Sequence, residues 1–267
     1  MTPFSTVTAP ARADDTTWTA TITEDWTQGR ATFGGVLSGL ALRALGDVVD
    51  GERTLRSVLV SFVGPASPGP VTVTARVLRA GRALTQAEAR VSQDGRELAV
   101  VVAAYGAPRQ TGIAWPAAER GEVPPPESLP VFPYLPGITP VFTQHFDYRW
   151  ATERYPFTGA DQPAICGHLR PAEGEGPVDA AMVLALIDAW PAPVLSLARG
   201  PAPASTVTWM VDLVGPIDPD PTRFWFFEGA ATAAGEGYAD IHGKLYGPEG
   251  RLVATSRQLV AEFSKAR

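Results

Sequence analysis

The sequence predicts an α+β protein of two tandem modules, each an antiparallel sheet wrapped around a long buried helix. Three observations predict it. One order of elements runs twice along the 267 residues, a stretch holding nine prolines separates the two runs, and the second run carries a helix that is apolar on every side.

In the first run, Trp18–Trp26 reads as a strand followed by the glycine pair Gly34-Gly35. Leu37, Leu40, Ala41, Ala44, Leu45 and Val48 then recur at helical spacing. Strands are expected at Ser57–Val63, Val71–Arg79, Leu84–Ser92 and Leu98–Tyr105, the last two joined by the turn Gln93-Asp94-Gly95-Arg96. Proline breaks helix and sheet interiors alike, so the stretch from Ala107 to Pro140 reads as a semi-rigid connector. The expected division is therefore 1–106, connector 107–140, and 141–267. The second run repeats the plan with strands at Val141–Trp150 and Ala164–Arg170 and a helix at Val178–Ala189 stopped by Pro191. Strands follow at Thr206–Val214, Phe224–Ala233, Tyr238–Tyr246 and Leu252–Phe263. The segment Ala180–Ile187 has no polar face, so other elements must wrap it.

Composition narrows the function classes. A net charge of −6 argues against a nucleic-acid surface, which needs a clustered basic face. The single cysteine, Cys166, excludes an intramolecular disulfide and makes a cysteine-based metal site a poor expectation. Met1–Asp15 lacks the basic start and apolar core of a secretory signal, and no uninterrupted apolar stretch approaches the roughly 18 residues of a membrane span. A cytoplasmic protein is expected. His145, His168 and His242 are scattered without metal-ligand spacing, so no metal is expected. There is no phosphate-cradling or dinucleotide glycine motif, and Gly35-Val36-Leu37-Ser38-Gly39 is one residue short of a serine nucleophile elbow.

Asp188 is the most informative single residue. It stands in the last turn of an apolar helix, where the helix dipole disfavours a carboxylate by about 0.3–1 kcal/mol and burial costs more unless hydrogen bonds offset it. Either it turns outward to water beside Pro191, or it has a task. Asp179, in the first turn, is explained as an N-terminal acid. Gln258 shares one strand face with Leu252, Ala254, Ser256 and Val260, so its amide needs polar partners; structural satisfaction and catalysis both fit. Thr206 alone reads as an ordinary strand residue. Gly34-Gly35 leaves unpaired N–H groups at a helix start, suited to an oxyanion or to close packing.

The chain resembles the type II acyl-CoA thioesterase family. The likeness rests on "FGGVLSGLAL" at Phe33–Leu42, "LRSVLVSFVGPASPG" at Leu55–Gly69, "TVTWMVDLVGP" at Thr206–Pro216 and "GRLVATSRQ" at Gly250–Gln258. The resemblance implies a double hotdog, a sheet curled around a helix twice over. It implies an Asp, a Thr and a Gln that activate water, carried over onto Asp188, Thr206 and Gln258. In the same registration the first half has Leu42, Leu55 and Ala103, so it is expected to be chemically blank. Thr208-Trp209-Met210 departs from relatives that carry Asp and His there.

The activity so implied is hydrolysis of an acyl-CoA to carboxylic acid and CoA, with coenzyme A part of the substrate and no other cofactor. Gly34 and Gly35 are the expected oxyanion or substrate contacts. A hotdog hydratase or dehydratase, needing an Asp/His or Glu/His pair, and a non-catalytic acyl-CoA-binding module are the alternatives. Association into a homo-oligomer through remaining sheet edges is an open expectation.

Overall fold

The computed structural model describes residues 1–264. The first half contains α1 (Phe4–Val7), β1 (Ala11–Arg12), β2 (Thr17–Ile22), β3 (Thr27–Gln28), β4 (Ala31–Thr32) and α2 (Gly34–Val48). Strands β5 (Thr54–Phe62), β6 (Gly69–Ala80), β7 (Leu84–Gln93) and β8 (Arg96–Gly106) follow. The second half contains β9 (Phe146–Trp150), β10 (Ala164–Pro171) and α3 (Ala180–Asp188). It ends with β11 (Ala204–Leu213), β12 (Trp225–Gly235), β13 (Tyr238–Tyr246) and β14 (Leu252–Glu262).

Twelve strands form one sheet in the order β1-β2-β6-β7-β8-β5-β11-β14-β13-β12-β10-β9, and every pairing is antiparallel. The two halves meet at β5 and β11, where Ser57–Ser61 pair with Asp212–Thr208. Helix α2 packs on β6, β7 and β8, α3 packs on β10 and β13, and the helices touch each other. This is the double hotdog: two helices, each cupped by half of a shared antiparallel sheet.

The helices form where the pattern places them, for identifiable reasons. Asp179 caps α3, its carboxylate accepting the Met182 N–H at 3.0 Å, and Ala181–Ile187 are all buried. The β7–β8 hairpin turns through Asp94 and Gly95, both at positive φ (51° and 75°), as a two-residue turn between twisted strands requires. One continuous apolar core spans both halves, from Trp18 and Leu40 to Leu184 and Trp225. Residues Ala180–Leu197 make an 18-residue window of mean hydropathy 1.7, but it is interrupted by Asp188 and two prolines, the helix ends at Asp188, and 67% of the window is buried in the protein.

Two expected strands are shorter than read. Trp18–Trp26 is strand only to Ile22, then a 3-10 turn at Glu24–Trp26. Val141–Trp150 opens as a 3-10 turn, Val141–His145, because Pro140 sets the entry and Thr143 donates its hydroxyl back to the Pro140 carbonyl at 2.7 Å. The proline-rich segment lies along the second half: Arg120 N–H donates to Gly250 O (2.9 Å) and Phe132 N–H to Tyr148 O (3.1 Å).

Candidate active site

Asp188 does not turn away to bulk water. The last residue of α3, it is half-buried and points at the first turn of α2, where its carboxylate accepts the Gly35 N–H. The charge that is misplaced at the C-terminal end of its own helix is thus set at the N-terminal end of the other, where exposed N–H groups favour an anion. Burial pushes its carboxyl up from 3.8 to about 7, and the Gly35 hydrogen bond only partly opposes that.

The glycine pair explains how the carboxylate arrives. A Cβ on Gly34 would lie 2.8 Å from Asp188 Oδ2 and 3.0 Å from Cζ of Phe62, so the carboxylate and the Phe62 ring occupy the space a side chain would take. A Cβ on Gly35 would lie 3.0 Å from the Ala185 Cα and would run into the Phe33 ring. At Gly35, therefore, α2 and α3 approach closely, helix on helix rather than helix on sheet. Gly35→Ala is expected to destabilise the fold by about 1–3 kcal/mol, because the Ala185 backbone cannot give way; urea unfolding measures it.

Thr206 and Gln258 lie side by side. Thr206 Oγ1 donates to Gln258 Oε1 at 3.5 Å, a long contact. Their shared face depends on a β-bulge. Trp209 pairs with Gln258 and Thr206 with Val260, but Val207 has no partner between them on β14. Without that extra residue Thr206 would face outward with Thr208 and Met210; with it, Thr206 faces inward beside Trp209 and Gln258. No sequence pattern marks the bulge.

Phe62 lies at the Asp188 side of the site. It follows Ser61, the β5 residue paired with Thr208, and its ring rests against Gly34 beside Asp188. Among the described residues no direct hydrogen bond joins Asp188 to Thr206 or Gln258. The region beyond Asp188 is aromatic: Trp190 stacks on Phe227 at 5.7 Å and meets Trp150 edge-on at 5.1 Å. Phe227 lies over Gly229 and Gly243, where no side chain fits beneath it. Tyr148 donates its hydroxyl to the Ala189 carbonyl at 3.0 Å. Burial, and then the neighbouring Asp188 charge, push its phenol well above the usual range.

The histidines are held elsewhere. His168 bonds the Pro124 carbonyl at 2.9 Å, exposed His242 bonds Asp240 at 2.9 Å, and buried His145 bonds Glu175 at 2.8 Å. Gly34 and Gly35, expected to act alike, differ: the Gly35 N–H is taken by Asp188, while Gly34 is the first residue of α2 and its N–H has no intrahelical partner.

Residues 124–261 match the acyl-CoA thioesterase C-terminal domain family, and residues 22–107 match the acyl-CoA thioesterase N-terminal domain family. The chain belongs to the acyl-CoA thioesterase domain family. Three solved structures share its fold. A conserved hotdog protein of unknown function from Alicyclobacillus acidocaldarius is 24% identical, with 98% of each chain covered and a TM-score of 0.86. A candidate thioesterase II from Thermobifida fusca is 24% identical, covering 99% of this chain and 98% of its own, at 0.84. An acyl-CoA thioesterase II from Mycobacterium marinum is 17% identical, covering 98% and 99%, at 0.75. None of the curated proteins matches this chain. The hotdog architecture is thus present in both halves, and thioesterase-like chemistry follows from membership at the level of the superfamily.

Proposed function

We propose that this family member hydrolyses acyl-CoA thioesters as a type II acyl-CoA thioesterase, with Asp188 as general base and Thr206 and Gln258 orienting the attacking water. The observation that carries the reading is Asp188 itself: a half-buried carboxyl raised to about 7, held at the start of the opposite helix. A carboxylate in that range accepts a proton near neutral pH far more readily than an ordinary one.

In the proposed reaction, water oxygen bonds to the thioester carbonyl carbon as Asp188 takes its proton. The carbonyl π electrons move onto oxygen, where the Gly34 N–H, at the positive end of α2, stabilises the charge. The intermediate reforms the carbonyl, the C–S bond breaks, and the departing thiolate takes the proton back from Asp188. The products are a carboxylic acid and CoA thiol. The first half supplies a helix end and the second half the reacting side chains, which is why the site lies where the halves meet. Within this reading, the chain divides into hotdog modules at 1–106 and 141–267, joined by 107–140.

Thiol release measured over straight-chain, branched and aromatic acyl-CoAs tests the reading. Release is expected with at least one, and kcat/KM should rise as pH increases through about 7, because only ionised Asp188 accepts a proton. Binding without thiol release favours an acyl-CoA-binding protein, and addition of water to an enoyl-CoA favours a hydratase; either overturns the proposal.

A further inference from the structure

His145 is fully buried and stands apart from the proposed chemistry. Its Nδ1 hydrogen-bonds Glu175 Oε1 at 2.8 Å, whereas its Nε2 only faces Asp25 Oδ2 at 3.5 Å and makes no hydrogen bond. The ring stacks flat on Trp26, with centroids 3.8 Å apart and planes 12° from parallel. Both carboxylates are engaged further: Glu175 accepts the Phe4 N–H and Asp25 accepts the Thr2 N–H and the Thr23 hydroxyl. Trp26 and Asp25 belong to the first half, His145 and Glu175 to the second. This is a polar clasp across the two.

The clasp leads to the start of α2. The Trp26 carbonyl accepts the Phe33 N–H at 2.9 Å, and the two rings stack at 6.1 Å. Phe33 also stacks on Phe142, from the same turn as His145, at 4.1 Å. Phe33 is the N-cap of α2, and it makes no side-chain cap bond of its own. The next two residues are Gly34 and Gly35, which meet Asp188. The position of that first turn is therefore set by Trp26 and the aromatic stack.

We propose that His145 is a positioning residue for Asp188: held between Glu175 and Asp25, it fixes Trp26 and Phe33 and thereby sets the first turn of α2 against the carboxylate. The inference rests on the reading of Asp188 as the base. A histidine that serves stability alone would, when replaced, lower the melting temperature and leave the proton affinity of Asp188 unchanged. A positioning histidine would alter both, because loosening the first turn of α2 admits water to a carboxyl whose affinity burial raises.

The test is a carbon-13 NMR titration of protein labelled at aspartate carboxyl carbons, with the Asp188 signal assigned by its loss in Asp188→Asn. His145→Gln keeps a donor for Glu175 but removes the flat ring from Trp26. It is expected to move the Asp188 titration down by about one pH unit, and to lower kcat about ten-fold with KM changed less than about two-fold. Trp26→Phe, which keeps a ring in the stack, should titrate close to wild type. If His145→Gln does not fold, Glu175→Gln, which keeps the ring but weakens the anchor on its Nδ1, should give a smaller shift of the same sign. An Asp188 titration that stays at its wild-type position in the folded His145 or Glu175 variant overturns the proposal. Wild-type turnover by Asp188→Asn instead removes the base and leaves the titration readable, so the two failures are distinct.

Discussion

Asp188→Asn is expected to lower thiol release by several orders of magnitude and, at pH 8, to raise the melting temperature by about 5 °C or more. The first effect follows from loss of the proton acceptor. The second follows from linkage. The folded-state pKa of about 7 lies above the ordinary 3.8, so between those values the folded protein binds more protons than the unfolded chain. Stability attributable to Asp188 therefore falls as pH rises through that window and is fully lost above about 7. Each pKa unit is worth about 1.4 kcal/mol, so a rise from 3.8 to about 7 places the cost of ionised Asp188 on the order of 4 kcal/mol. Asparagine still accepts the Gly35 N–H and carries no charge. Near pH 4 the stability difference should vanish. Thermal scans at the two pH values, with thiol release on the same samples, measure both effects. A variant that loses activity without gaining stability at pH 8 would show that the carboxyl is solvated. Thr206→Ala and Gln258→Ala should each cost less than Asp188→Asn, and combining them with it should add little if all three act on one water.

Gly34→Ala is expected to do the reverse of an ordinary core mutation: to keep or slightly raise stability while lowering kcat about 10- to 100-fold. Gly34 does not have a positive φ, and alanine is the better helix former by up to about 1 kcal/mol. The atoms a new methyl would meet, Asp188 Oδ2 and the edge of the Phe62 ring, are ends of side chains and can move. The backbone survives and the carboxylate is pushed from its place. Adding Phe62→Leu should relieve the ring without restoring turnover, because the carboxylate remains displaced. Circular-dichroism melting curves beside kcat values distinguish this outcome from the backbone clash expected at Gly35.

These two residues also show what the sequence makes legible and what it conceals. The strands of both sheet halves follow from short-range pattern, since period-two burial and the Asp94-Gly95 turn are local facts. Asp188 stands out for the same reason, as a charge in an otherwise apolar helix. Its partner does not: the Gly35 N–H is far off in sequence and meets it only because α2 and α3 cross. The bulge at Val207 that turns Thr206 inward leaves no compositional mark, since any strand residue can be the extra one. Likewise β1, β3, β4 and the single turn of α1 are too short to produce periodicity. The 3-10 turn at Val141–His145 was hidden by its apolar start, although the preceding Pro140 is consistent with it.

The pairing of β5 with β11 has a bearing on how such a chain can change over time. Between Ser57 and Ser61 the outer amides of β5 find their carbonyls only on β11. A truncated gene ending after Gly106 would leave Ser57–Ser61 as a bare margin without charge, flanked only by Arg56, and its product would be prone to stick to copies of itself. The half expected to hold no acid or base of its own therefore cannot be deleted without baring that edge. It closes the sheet edge of the other half and brings the start of α2 to Asp188.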